Sequence, residues 1–175
     1  MKPYSMLIII TGLVLGCSQN SGTDRIDNTS EKKIKKQVTA VAEKYIMSQL
    51  TNPVKTTSES GLVKIMDNQK KYIIEPAKIY IGLIDDDTEQ DALVSLSVFQ
   101  GQHQTTSEQL IILKSDNDFI LARVLESDMN IISLDDRIII ADVPEHSRNN
   151  PLFNCQSCWE VVKFQYRMGE FVKIE

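Results

Sequence analysis

The chain has 175 residues, 24 acidic and 19 basic side chains, a net charge of −5, and 42 % hydrophobic residues. That length suits one domain with a core of its own. The acidic balance, with no stripe of Lys and Arg interleaved with aromatics, excludes a nucleic-acid binder that works by neutralising phosphates.

Met1-Lys2-Pro3-Tyr4-Ser5 is short and cationic, and Met6 to Leu15 is an apolar run broken only by Thr11 and Gly12. A cationic start, a short apolar core and a small residue before a cut are the parts of a secretory signal. The run is about half of the ~20 residues that a membrane-spanning helix needs. Val14-Leu15-Gly16-Cys17 then resembles the lipobox of bacterial lipoproteins: an aliphatic residue, a tolerant position, a small residue and the cysteine. The resemblance covers the leader alone. It implies that the Cys17 thiol receives diacylglycerol, that residues 1–16 are removed, and that Cys17 becomes an acylated N-terminus. Val14 stands where Leu is commoner. Ser18 follows the cysteine where an aspartate would favour inner-membrane retention, so the resemblance implies an outer-membrane anchor facing the periplasm. The plainer alternatives are an ordinary signal peptide cut elsewhere and an uncleaved anchor. Two or three acyl chains hold far better than one, because each buried CH₂ contributes ~0.8 kcal/mol. Loss of the leader takes Lys2 with it and leaves the mature chain one unit more acidic.

After the cut, residues 17–30 are the lipidated cysteine and a linker, whose residues 18–30 are small and polar and cannot bury enough apolar surface to order themselves. They read as a leash between lipid and domain. There are no internal repeats and no second leash, so residues 31–175 read as a single domain.

Within 31–50, Ile34, Val38, Val41, Tyr45 and the adjacent Ala42 and Ile46 recur in steps of three and four, which traces one face of an amphipathic helix. Thr29 or Ser30 can cap its start, and Asn52-Pro53 stops it. Lys32, Lys33, Lys35 and Lys36 could touch anionic headgroups at about 1 kcal/mol each. A solvated helix face is the plainer reading.

After Pro53 the period falls to two. Val94, Leu96 and Val98 alternate with Ser95 and Ser97, and Glu160, Val162, Phe164 and Tyr166 alternate with Trp159, Val161, Lys163 and Gln165. Leu62–Ile65, Tyr72–Ile74, Ile79–Ile84, Leu110–Leu113, Phe119–Val124 and Arg137–Val143 are further short apolar runs. Asp67-Asn68, Asp85–Asp87, Ser115–Asp118, Asp135-Asp136 and Met168-Gly169 break them. Short β-branched runs with tight breaks predict antiparallel hairpins. The expected class is α+β: one N-terminal amphipathic helix packed on a bent antiparallel β-sheet of about 6–9 short strands. A cystatin-like or NTF2-like cone is one shape of that kind.

Asp85-Asp86-Asp87-Thr88-Glu89-Gln90-Asp91-Ala92 lies between two of these strands. Calcium takes six to eight oxygens, which closely spaced carboxylates can supply. Residues 80–98 resemble the strand–loop–strand of secreted bacterial domains written G-D-[LIV]-[ND]-x-D-G-x-x-D-A, with Gly82, Asp85, Asp87, Asp91 and Ala92 on the pattern. The resemblance implies Asp85, Asp87 and Asp91 as ligands for Ca²⁺. Leu83 replaces the leading aspartate and Thr88 the turn glycine, which costs a ligand and a sharp bend. The plainer reading is a solvated loop whose Asp side chains cap their own turn. A glycosidase pair is poorly served, because one loop puts both carboxylates on one flank of a substrate.

Cys155-Gln156-Ser157-Cys158 is the remaining thiol chemistry. Outside the inner membrane, a Cys155–Cys158 disulfide that fixes a turn is the first expectation. Free reactive thiols, a metal site and redox catalysis remain as alternatives. A redox pair wants a helix N-terminus, but Trp159–Tyr166 alternates like a strand. Zinc wants about four ligands, and only His103 and His146 could join the pair. Both histidines lie in separate polar loops and read as surface residues. Pro144 to Pro151 reads as a solvated connector, or as a recognition loop stiffened by its two prolines. Phosphate-binding, dinucleotide-binding, nucleophile-elbow and zinc-protease motifs do not occur in the chain. The expected function is therefore a lipid-anchored, non-enzymatic envelope module that binds a protein, an envelope polymer or a small ligand. An envelope hydrolase using Asp85, Asp87 or His103, and a calcium-stabilised structural module, are the alternatives.

Overall fold

The computed structural model describes residues 28–144 and 159–174. The lipobox with Cys17, the Cys155–Cys158 pair and His146 lie outside the described residues.

Helix α1 spans Asn28–Gln49, three residues ahead of the predicted start, so Thr29 and Ser30 sit inside its first turn rather than before it. The predicted stripe is its buried side: Val38, Ala42 and Ile46 are fully buried, with Ile34, Val41 and Tyr45 packed beside them. Asn52 comes next at φ +52°, in the left-handed region that an Asn tolerates, and Pro53 prevents continuation. The Thr51 amide donates to Asp67 Oδ2 at 3.0 Å, which ties the helix exit to the next hairpin.

Six strands then run as an antiparallel meander, β1 (Val54–Thr57), β2 (Val63–Met66), β3 (Lys70–Gly82), β4 (Asp91–Gln100), β5 (His103–Ser115) and β6 (Asp118–Ser127), paired in that order. Four more, β7 (Asn130–Asp135), β8 (Ile138–Pro144), β9 (Trp159–Arg167) and β10 (Glu170–Ile174), form a second antiparallel sheet. The class is α+β as expected, but the described residues carry ten strands in two sheets instead of 6–9 in one. Tyr72–Ile74 and the Ile79–Gly82 part of the next run prove to be one strand, β3, broken by a register shift between Ile74 and Ile79 that contains Pro76. Proline has no N–H for the ladder, so it is accommodated where pairing lapses. The segment around His103 is also not a loop: β4 and β5 close on Gln100↔His103, leaving only Gly101-Gln102 between them.

The central strand explains the layering. Every residue from Asp91 to Val98 is buried. Ala92, Val94, Leu96 and Val98 face α1, with Ile65, Ile74, Leu110 and Ile112 in the same core. Leu93 faces the other way, where Ile84, Ile111, Ile131, Ile139 and Ala141 form a second core between the sheets. A strand covered on both faces belongs to the middle of three layers: helix, six-stranded sheet, four-stranded sheet. Each fully buried Ile or Leu contributes about 1.5–3 kcal/mol, so both cores matter to stability. The sheets are pinned by Tyr80, whose hydroxyl donates to the Ile131 carbonyl at 2.6 Å. At Gly82 a Cβ would lie 3.2 Å from the Leu134 side chain, so the bare α-carbon lets β7 close on the end of β3.

Candidate functional site

The acidic loop leaves β3 at Gly82 and enters β4 at Asp91. No residue from Leu83 to Gln90 has positive φ, so Thr88 costs the loop nothing where the motif has glycine. The chain turns instead by side-chain acceptance. Asp85 Oδ1 takes the Asp87 amide at 3.0 Å and Asp87 Oδ1 takes the Glu89 amide at 2.7 Å. These are the self-capping Asx turns of the plainer reading.

Asp91 has a different job. It is fully buried at the start of the central strand. Its Oδ2 accepts the Ile84 amide at 3.0 Å and the Asp85 amide at 3.4 Å, and its Oδ1 accepts the Lys114 amide at 2.9 Å. One carboxylate thereby closes the loop and fastens it to the end of β5. Burial pushes the Asp91 carboxyl above the ordinary carboxylate range, and the amide donors pull against that rise.

Asp85, Asp87 and Asp91 each offer an oxygen, and these oxygens lie within 4.8 Å of one another. The three predicted ligands are brought together, and they could hold a metal ion. Carboxylates that already accept amides keep lone pairs for a cation. Three monodentate oxygens fall short of the six to eight that calcium takes, so carbonyls or water would have to complete the shell.

Two carbonyls of the same loop already have a cationic partner. Arg137 Nε donates to the Asp85 carbonyl at 2.6 Å and Arg137 Nη2 to the Asp87 carbonyl at 2.7 Å. Arg137 stands in the two-residue turn between β7 and β8, with Asp136 at φ +41° and Arg137 at φ +65°. Positive φ is ordinary for Asp and costly for Arg, by about 1 kcal/mol or more. The strained backbone aims the guanidinium across the inter-sheet gap onto the loop. Lys114 Nζ pairs with Glu89 of the same loop. The sequence offered no local sign of Arg137, because its partners are 52 and 50 positions away.

The other candidate groups do not join this cluster. His103 is exposed at the far end of β4 from Asp91, about 30 Å away at ~3.3 Å per residue. Catalysis shared between His103 and Asp85 or Asp87 is therefore not assembled. A separate polar network lies under α1: the Tyr45 hydroxyl donates to Glu108 Oε2 at 2.8 Å and the Tyr72 hydroxyl to Glu108 Oε1 at 3.4 Å. Burial, reinforced by the Glu108 charge, pushes the Tyr72 hydroxyl up to about 12 and Tyr45 higher still. Both phenols stay protonated donors, which suits fastening the helix rather than proton transfer.

The outer face of the four-stranded sheet carries several exposed apolar side chains among polar ones such as Lys163 and Arg167. Trp159 and Val161 on β9 and Val172 on β10 are 48 %, 62 % and 41 % exposed, and Ile132 on β7 is 47 % exposed. No protein-family model matches the chain, and no curated protein or solved structure matches it.

Proposed function

We propose that the protein is a lipid-anchored envelope lipoprotein, cut before Cys17, whose two-sheet domain is a non-enzymatic module that binds a partner. The location rests on the leader and on Val14-Leu15-Gly16-Cys17. The binding role rests on the exposed Trp159 and Val161, with Val172 further along the same outward face. Trp159 and Val161 are neighbours on the outward side of β9, and exposed aromatic and aliphatic side chains side by side are a feature of interaction surfaces. The hydrolase alternative draws no support, since the carboxylates are engaged by loop amides and His103 lies at the other end of the strand. The test is photo-crosslinking in cells from position 161, with position 64 on β2 as the control. One stoichiometric envelope protein captured from 161 and lost with Trp159→Glu is the expected result. Equal capture of abundant neighbours from both positions contradicts the binding role.

A second reading, a calcium-stabilised module, is favoured by the convergence of Asp85, Asp87 and Asp91. Calcium at ten times its Kd would stabilise the fold by about 1.4 kcal/mol. For a domain of this size that raises Tm by about 3–6 °C. An unchanged Tm in millimolar calcium removes this reading, given that extracellular modules bind at about 10⁻⁴–10⁻³ M.

A further inference from the structure

We infer that the outward ridge of α1 is a docking surface for anionic phospholipid headgroups, which orients the domain on the membrane that holds it. The inference rests on the lipid-anchor reading and adds a second, electrostatic contact to it. At 3.6 residues per turn, Lys33, Lys36, Ala40, Lys44 and Met47 share the side of the helix opposite Val38, Ala42 and Ile46, with Lys32 on its flank. All six are exposed, and Met47 is 41 % accessible.

The ridge is cationic because the acids of α1 are taken up elsewhere. Glu31 is paired with Lys35 at 2.9 Å, and Glu43 turns aside to Lys55 of β1 at 2.6 Å. Glu89, which lines the same shallow cleft as Lys33, is engaged by Lys114. Lys32, Lys33, Lys36 and Lys44 form no ion pair with the described residues. A net-acidic protein thus presents three unneutralised lysines, Lys33, Lys36 and Lys44, on the outward side of one helix, with Lys32 beside them.

The position of these lysines relative to the tether favours a membrane as the occupant. Cys17 and Asn28 are eleven residue steps apart, and a chain that long reaches at most about 40 Å. The helix at the near end of the leash is therefore held beside the bilayer, where the local concentration of headgroups is high. Its three-layer position adds a second consequence. With α1 toward the lipid, the open face of Trp159, Val161 and Val172, on the opposite outer layer, points away from the membrane. Each lysine near an anionic surface contributes a factor of about five in binding.

The test uses full-length protein in vesicles of phosphatidylcholine alone or with about 30 % phosphatidylglycerol, the anionic component supplying the surface potential. Flotation with neutral vesicles reads the lipid anchor separately: a chain that does not float there fails the anchor reading, whatever the helix does. For the floating protein, labelling by a water-soluble amine reagent is read lysine by lysine by mass spectrometry. The expected result is labelling of Lys32, Lys33, Lys36 and Lys44 reduced about fivefold or more on anionic vesicles, with Lys64, Lys163 and Lys173 unchanged. The protection should vanish at about 1 M salt, where screening shortens to about 3 Å. Met47 oxidation gives a second readout. It should be slowed on anionic vesicles in the wild type and not in the combined Lys32→Gln, Lys33→Gln, Lys36→Gln, Lys44→Gln variant, whose changes are all on exposed positions. Equal labelling of the ridge on both vesicle types, or a fall shared by the control lysines, overturns the inference.

Discussion

Replacing Asp91 by Asn removes one charge and almost no volume, so the cost is set by hydrogen bonding at a buried position. The carboxylate accepts three backbone amides, those of Ile84 and Asp85 on one oxygen and of Lys114 on the other. An Asn can present only one acceptor. With its oxygen toward Ile84 and Asp85, its NH₂ faces the Lys114 N–H, donor against donor. The reversed amide strands two amides instead of one. Each buried N–H left without an acceptor costs about 1–3 kcal/mol. Asp91→Asn therefore lowers the unfolding free energy by about 1–3 kcal/mol at neutral pH, or roughly 3–10 °C in Tm. The charge partly offsets this loss. Burial raises the folded-state pKa of Asp91 above its unfolded value, so its contribution is fully present below the unfolded pKa and declines as pH rises through the folded pKa. The gap between wild type and Asp91→Asn is accordingly widest at acid pH and narrows toward neutrality. Urea unfolding at several pH values measures this, with m unchanged if only stability is altered. An Asn variant as stable as wild type at every pH would refute the role of Asp91 as the staple between loop and sheet.

Neighbouring contacts give further expected outcomes. Arg137→Ala removes two short hydrogen bonds to the Asp85 and Asp87 carbonyls, for a loss of about 1–3 kcal/mol against the relief of a strained φ. The same variant should show a larger calcium-induced rise in Tm than wild type, because two carbonyls and a cationic position are freed; an identical response in both refutes competition between guanidinium and metal. Asp67 accepts the amides of Lys70, Gln69 and Thr51, which hold its carboxyl below the ordinary range. Its contribution is present above the unfolded pKa and lost as pH falls through the folded one, so the Tm difference between wild type and Asp67→Asn should shrink on acidification. Tyr45→Phe deletes the 2.8 Å bond to Glu108 and should cost about 1–2 kcal/mol in urea unfolding. Ile111→Ala, in the core between the sheets, should cost about 2–5 kcal/mol.

The helix was legible in the sequence because its stripe is local: Val38, Ala42 and Ile46 bury the face that the spacing predicts. The turns at Asp67-Asn68, Ser115–Asp118 and Met168-Gly169 were legible from residue chemistry alone. The second sheet was not. Ser95 and Ser97 alternate with Val94 and Leu96 as if one face of β4 were wet, yet both are buried because the structure covers that face. Three strands escaped notice for separate reasons. β1 is exposed at every position and has no apolar face to read. β7 carries a register shift between Ile131 and Ser133 that breaks its period. β10 is five residues after a two-residue turn. At the acidic loop, the three aspartates were named from their spacing, and the structure does bring them together. Their unequal roles, two turn caps and one buried staple, depend on β5 and on Arg137, which no local pattern specifies.

Lipid anchoring is tested most directly by the intact mass of the processed protein extracted from membranes of an expressing bacterium, compared with its Cys17→Ser variant. Lipid anchoring at Cys17 predicts a wild-type mass of residues 17–175 plus diacylglycerol and an N-terminal acyl chain, and a Cys17→Ser chain that is unlipidated and retains its leader. A wild-type chain cut at another bond and carrying no lipid would contradict it.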